Sequence, residues 1–269
     1  MGKPEKEMSF LDHLEELRWH LIRSVIAILV FAIAAFIYKD FVWGTIIFGP
    51  SKADFWTFRM LCKLGELVNS DLLCITDLPY ILQSRKITGQ FTMHLSGSFV
   101  IGLVCAFPYF FWEIWRFIKP GLHTNEKKVS RGAVFFVSLL FFSGILFGYF
   151  IVSPLSFNFL SNYQIVPGIK NQFDIISYVS FFTTLVLACG ILFQIPMVTL
   201  FLSKAGILTP DILRKYAKHA IIVILFVSAV LTPPDIISQV LIAAPLTILY
   251  QISIFISARI EKKNKKFLE

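Results

Sequence analysis

Apolar residues fall in six long blocks along this chain, at about 21–38, 91–112, 133–152, 175–202, 219–232 and 236–257, with polar stretches between them. Most have the reach of membrane-crossing helices, which need ~20 apolar residues. The fifth is different. Its uninterrupted part, Ala220 to Leu231, rises only about 18 Å at ~1.5 Å per residue, against hydrocarbon ~30 Å thick. Crossing then requires Lys218 and His219 to snorkel, or the bilayer to thin beside the helix. Pro245 stands inside the sixth block and predicts a bend there. A short, bent pair suits a protein that moves something across a membrane better than it suits an anchor.

The stretch ahead of the first block, Ser9 to Arg23, has a helical pattern of its own. Phe10, Leu14, Leu17 and Leu21 recur at the spacing of one apolar face. Asp12, Glu16, His20 and Arg23 follow a different face. Ser9 and Asp12 read as a helix start, with a hydroxyl cap and an acid near the positive end of the dipole. The pattern predicts a helix lying on the membrane surface with its polar side open to water. Its two acids either hold a cation or form local pairs, Glu15 with Arg18 and Glu16 with His20.

Composition agrees with a membrane protein. Of 269 residues 56% are hydrophobic, 29 are Phe, and the mean hydropathy is +0.72. The expectation is an all-α polytopic membrane protein of one domain, residues 1–269. The net charge of +8 is distributed as an orientation signal, so nucleic acid is not an expected partner and membrane lipid is. Most of the 25 basic residues fall on one side if the amino terminus is cytoplasmic. Six spans then return the carboxyl terminus to the same side.

Smaller features sit on that frame. Cys62 and Cys74 lie twelve apart in the long 39–90 loop, where an oxidising compartment permits a disulfide. Cys105 and Cys189 fall within spans and read as small apolar packers. Gly144 and Gly148 form a small-xxx-small pair that allows close helix approach, expected within this chain. Pro154 is expected to end the third span. Between the second and third spans, Pro120 and Gly121 break the helix, and Glu126 stands in the first turn of the next one. Pro196 predicts a kink in the fourth span. Gln194 beside it either satisfies a backbone group freed by the kink or bonds a partner helix, at ~0.6–2 kcal/mol.

Enzyme chemistry is not visible. There is no phosphate loop, no HExxH, no metal-ligand cluster and no cofactor motif. No Asp, Glu, Lys or Arg lies deep in any of the six blocks as bounded above. A secondary transporter of a small solute, the alternative reading, would be expected to carry such a residue at the midplane.

Five stretches together resemble the TatC family, the large subunit of the twin-arginine protein translocase. They are His13-Leu-Glu-Glu-Leu-Arg18; Trp115-Arg-Phe-Ile-Lys-Pro-Gly-Leu122 with Glu126; Gly148-Tyr-Phe-Ile-Val-Ser-Pro154; Phe193-Gln-Ile-Pro196; and Leu231-Thr-Pro-Pro-Asp-Ile-Ile-Ser-Gln239. They run nearly the whole chain in the family's order. The resemblance implies a concave, glove-like bundle of six helices in the cell inner membrane, with both termini cytoplasmic. It implies a receptor for the paired arginines of signal peptides on folded precursors, with Glu16, Arg18 and Glu126 at the binding site. It implies transport driven by the proton motive force, with TatA or TatB and other TatC copies as partners. Gln194, Thr232 and Gln239 would hold partner helices.

The chain also departs from the family. Gln194 stands where the family often has Glu, so a mechanism that ionises this position is not expected here. Trp19 replaces a basic residue that often follows Arg18. The first outer loop is longer than in common forms, and Cys62 and Cys74 fall in the extra material.

Overall fold

No glycine or proline interrupts the chain between Phe10 and Ile37, and this stretch forms one continuous helix, α1 (Phe10–Ile37). The computed structural model describes residues 10–68, 74–75, 77–118, 132–166, 171–232 and 236–268, without the side chains of 10–13, 237–238 and 263–268. After α1 come α2 (Trp56–Val68), β1 (Tyr80–Gln83), α3 (Gly89–Ile118), α4 (Ala133–Phe147), α5 (Ser153–Asn162) and β2 (Asn171–Asp174). Then follow α6 (Ile175–Leu192), α7 (Ile195–Lys204), α8 (Pro210–Lys215), α9 (Ala217–Leu231) and α10 (Ile236–Leu268). Among the described residues five segments are long and apolar enough to cross a membrane: Leu14–Ile37, Gly89–Ile118, Ala133–Asn162, Ile175–Lys204 and Gln239–Lys262. The fifteen residues of α9 are apolar but fall short, reaching only about 22 Å.

The residues gather into two compact units, one from Met1–Lys39 and His94–Ser138, the other from Asp40–Met93 and Leu139–Glu269. In the first, α1 and α3 meet at Gly102. A Cβ there would lie 2.7 Å from both Ala32 N and Ile28 O, so the two backbones touch. His94 closes the end of α1: its ring stacks on Phe36 at 4.0 Å, and its Nε2 lies 3.1 Å from the Phe36 carbonyl oxygen. That carbonyl is among those a helix end leaves without an intrahelical partner.

In the second unit the glycine pair does bring α4 onto α6. A Cβ on Gly144 would lie 2.5 Å from Cys189 O, and one on Gly148 3.0 Å from Val186 Cα. The apolar core beside them is built from Val152, Leu185, Cys189, Ile224, Ile242 and Leu246. Ser203 and Ser257 bond each other at 2.9 Å where α7 packs on α10. β1 and β2 pair in parallel, with Tyr80 opposite Asn171 and Gln83 opposite Asp174. The Asn171 amide donates to the carbonyls of Leu160, Ser161 and Tyr163, closing the end of α5. The Asp174 carboxylate accepts from Ile176 N and caps α6.

Pro154 does not end its helix, contrary to expectation. The chain widens into a π-helical turn over Gly148–Val152 and continues as α5, with Pro154 in the first turn. Proline has no N–H for the carbonyl four residues back, which is that of Phe150. The hydroxyl of Thr57, on α2, donates to that carbonyl. Thr57→Val keeps the shape and orphans the carbonyl, at about 1–3 kcal/mol. Thermal unfolding of the purified protein should then begin several degrees lower, while Thr57→Ser stays at the parent value. Pro154→Ala in the Thr57→Val background restores an N–H at 154 and should recover part of the loss.

The fourth span kinks as Pro196 predicts. It breaks between α6 and α7, with Gln194 as the cap of α7. Gln194 N turns to Ile191 O at 2.9 Å, and its side-chain amide donates to Gly190 O at 3.4 Å. The side chain thus takes the carbonyl that a regular helix would have paired with its own N–H. Cys62 on α2 is joined to Cys74 by a disulfide, while Cys105 and Cys189 are free thiols.

Candidate functional site

Because α1 is unbroken, the stretch read as a surface helix is the opening of the first spanning helix. Its apolar face is outward, as a membrane-facing side would be, but the polar side expected to be open to water is partly buried. Leu14, Leu17 and Leu21 are 46%, 40% and 57% exposed, while His20 and Ser24 are buried. In lipid the apolar face turns outward and small or polar residues pack inside. Glu16, His20, Ser24 and Ile28 recur every fourth residue and form the inward line. Ser24 Oγ bonds the His20 carbonyl at 2.9 Å, a local bond a helix tolerates.

The inward line meets a buried acid on α3. Glu113 is 1% exposed. One of its oxygens, Oε2, bonds His20 Nδ1, and the other accepts the Tyr109 hydroxyl at 2.8 Å. The other ring nitrogen of His20, Nε2, lies 3.9 Å from Glu16 Oε1. Glu16 itself reaches the surface, with its side chain 39% exposed. Its Oε2, however, is buried and has no hydrogen-bond partner among the described residues. Arg18 lies exposed two residues on. Arg116 lies over the Trp112 ring at 5.6 Å on the same stretch of α3 as Glu113.

Glu113 stands one residue beyond the second apolar block, which composition bounds at 112. The helix runs on to Ile118 and takes in Glu113 and Arg116. The available signal was Tyr109 one turn before Glu113, a phenol placed to donate to a carboxylate. Glu126 lies outside the described residues, so only Glu16 and Arg18 of the expected signal-peptide residues have described positions.

The three expected helix-contact residues fall in the second unit. Gln194 serves the kink as described above. Thr232 is buried and its hydroxyl donates to Ser228 O at 2.8 Å. Gln239, near the start of α10, donates to Leu225 O of α9 at 3.2 Å. Gln239 thus ties α9 to α10, and Thr232 holds the end of α9. Each makes at least one bond within this chain.

The comparisons agree with one another. The family model for "Sec-independent protein translocase protein (TatC)" matches residues 12–245. A Sec-independent protein translocase protein TatC from Blattabacterium sp. subsp. Periplaneta americana is 39% identical over 98% of this chain and 100% of its own. A protein of the same name from Helicobacter pylori strain J99 is 35% identical over 94% of this chain and 90% of its own. A crystal structure of a twin arginine translocase receptor, TatC, superposes with a TM-score of 0.65 at 31% identity, covering 93% of this chain and 99% of that one. A second, of the receptor in DDM, gives 0.68 at 33% identity, covering 90% and 98%.

Proposed function

This chain belongs to the TatC family of Sec-independent protein translocase components, and on that premise we propose that it is the signal-peptide receptor and core subunit of a twin-arginine translocase. The observation that carries the reading is Glu16. Its side chain is 39% exposed near the start of α1, with Oε2 buried and without a hydrogen-bond partner among the described residues, and Arg18 is exposed two residues on. A guanidinium meets such a group through two parallel hydrogen bonds, whereas an ammonium offers a point charge. This chemistry favours a pair of arginines over a pair of lysines. Glu126 supplies the second acid of the same patch.

In this reading α9 is a sixth, short span, and the basic residues keep both termini cytoplasmic in the cell inner membrane. The short α9, with Thr232 at its end, Gln239 bonded to it and Gln194 at the kink of the fourth span, is where single-span TatA or TatB helices assemble. Folded precursors are moved with the proton motive force as the energy source, and further TatC copies complete the complex. The transporter reading gains one buried acid in Glu113. That residue stands five positions from the end of α3, not at a midplane, and is already bonded by His20 and Tyr109.

Photo-crosslinking in membranes tests the proposal. A crosslinking residue placed at Glu15 or at Asn125 should capture a signal peptide bearing Arg-Arg, and capture should fade with its Lys-Lys twin and with Glu126→Ala. Equal capture of both peptides would return these acids to capping and local ion pairs.

A further inference from the structure

The chain Glu16–His20–Glu113–Tyr109 places one imidazole ring between two carboxylates. Glu113 is fully buried, and His20 is 6% exposed. Both nitrogens of His20 face carboxylate oxygens, one in a direct bond to Glu113 and one at 3.9 Å from Glu16. A neutral imidazole has a single N–H, which the bond to Glu113 can use; protonated, the ring can donate toward Glu16 as well. Once charged, the ring is a cation one turn from Glu16 and competes with an incoming arginine for that carboxylate. The competition is decided by position. Glu113, itself fixed by the Tyr109 hydroxyl at 2.8 Å, has the ring in a charge-assisted bond, the stronger kind. Glu16 keeps only a longer contact, through Oε1, and a side chain 39% exposed, while its Oε2 is buried with no hydrogen-bond partner among the described residues.

We propose that Glu113 is a positioning residue for the arginine-binding carboxylate: it holds the His20 ring inward, so that Glu16 stays open to the guanidinium of the signal peptide. The proposal rests on the receptor reading above. The other ionisable groups near the pair are Arg23 and Arg116, both cations, and Tyr109. Histidine is the side-chain type whose charge responds to pH near neutrality, so pH is the natural probe of the ring's part. When the Glu113 carboxylate is removed, the ring's remaining anionic partner is Glu16. A protonated ring then blocks Glu16, and a neutral ring releases it.

The test is equilibrium binding of a fluorescein-labelled Arg-Arg signal peptide to the full purified chain at pH 6 and pH 8. The parent should change less than twofold between the two. Glu113→Gln should bind about fivefold more weakly at pH 6 and return to within twofold of the parent at pH 8. Adding His20→Gln to Glu113→Gln should abolish the pH dependence and restore binding at pH 6. A merely structural role predicts a loss independent of pH that the second substitution deepens, and that outcome overturns the proposal, as does a Glu113→Gln protein that binds like the parent at pH 6. If Glu113→Gln does not yield monodisperse protein, His20→Gln alone carries the test. It keeps the Tyr109 bond to Glu113 and removes the competing cation, so it should bind within twofold of the parent at both pH values, and a fivefold loss overturns the idea. Two control arms separate this from the reading beneath it. A parent that binds Arg-Arg and Lys-Lys peptides alike, or that ignores Glu16→Gln, defeats the receptor reading itself.

Discussion

Gly144→Leu is expected to eliminate folded protein from the membrane. A single added carbon at this position would already lie 2.5 Å from Cys189 O, 2.8 Å from Gly190 Cα and 2.9 Å from Phe193 Cβ. Two of these three neighbours are backbone atoms of α6, which cannot turn aside as a long side chain can. The contact is also built from both sides. A Cβ on Gly190 would meet Ile145 Cδ1 at 2.8 Å and Phe141 Cε2 at 2.9 Å. Relief therefore means separating α4 from α6. Such separation opens the adjoining core around Val152, Leu185 and Cys189. In lipid this contact is held mainly by close packing, since hydrocarbon gives apolar helices little reason to associate. Ordinary overpacking costs about 1–3 kcal/mol. Parting a helix pair costs more, against a total stability of about 5–15 kcal/mol. Size-exclusion chromatography of detergent-extracted membranes measures the outcome. Gly144→Ala should give reduced, heat-sensitive protein, and Gly44→Ala, with nothing within 4 Å of its added carbon, should elute like the parent.

That prediction begins from a pattern visible in the bare sequence, Gly144 and Gly148 spaced one turn apart. Hydrophobic blocks likewise mark the spanning helices, and the shortness of α9 follows from counting apolar residues. These features are legible because they depend on local composition. The burial of the polar line of α1 is not. Periodicity shows that Leu14, Leu17 and Leu21 share a side. It does not show that His20 and Ser24, on the other side, pack inward, with His20 against another helix, instead of facing water. Pro154 was misjudged for a related reason. Its missing N–H argues for a break, but the repair comes from Thr57, nearly a hundred residues earlier in the chain. The parallel pairing of Tyr80–Gln83 with Asn171–Asp174 is equally distant, and each strand has only four residues. The same holds for Glu113: an acid near the end of an apolar block reads as a boundary until His20, on another helix, is seen against it.

Glu16→Gln is expected to lower affinity for an Arg-Arg signal peptide by about 10- to 150-fold, the equivalent of the ~1.5–3 kcal/mol that a hydrogen bond to a charged group contributes. The substitution keeps the size of the side chain and removes only its charge and one acceptor, so α1 should fold as before. The effect is specific because the amide retains a single acceptor oxygen and cannot receive both arms of a guanidinium. A Lys-Lys peptide engages a carboxylate as a point charge and starts weaker. It should lose less, and the gap between the two peptides should close. Glu16→Asp keeps the charge but shortens the reach, and should fall between parent and Glu16→Gln. Fluorescence anisotropy with both peptides, at low and at physiological salt, separates the two contributions: the point-charge part is screened by salt, and the paired hydrogen bonds are screened less. A Glu16→Gln protein that keeps its full preference for arginine would place recognition elsewhere on the chain.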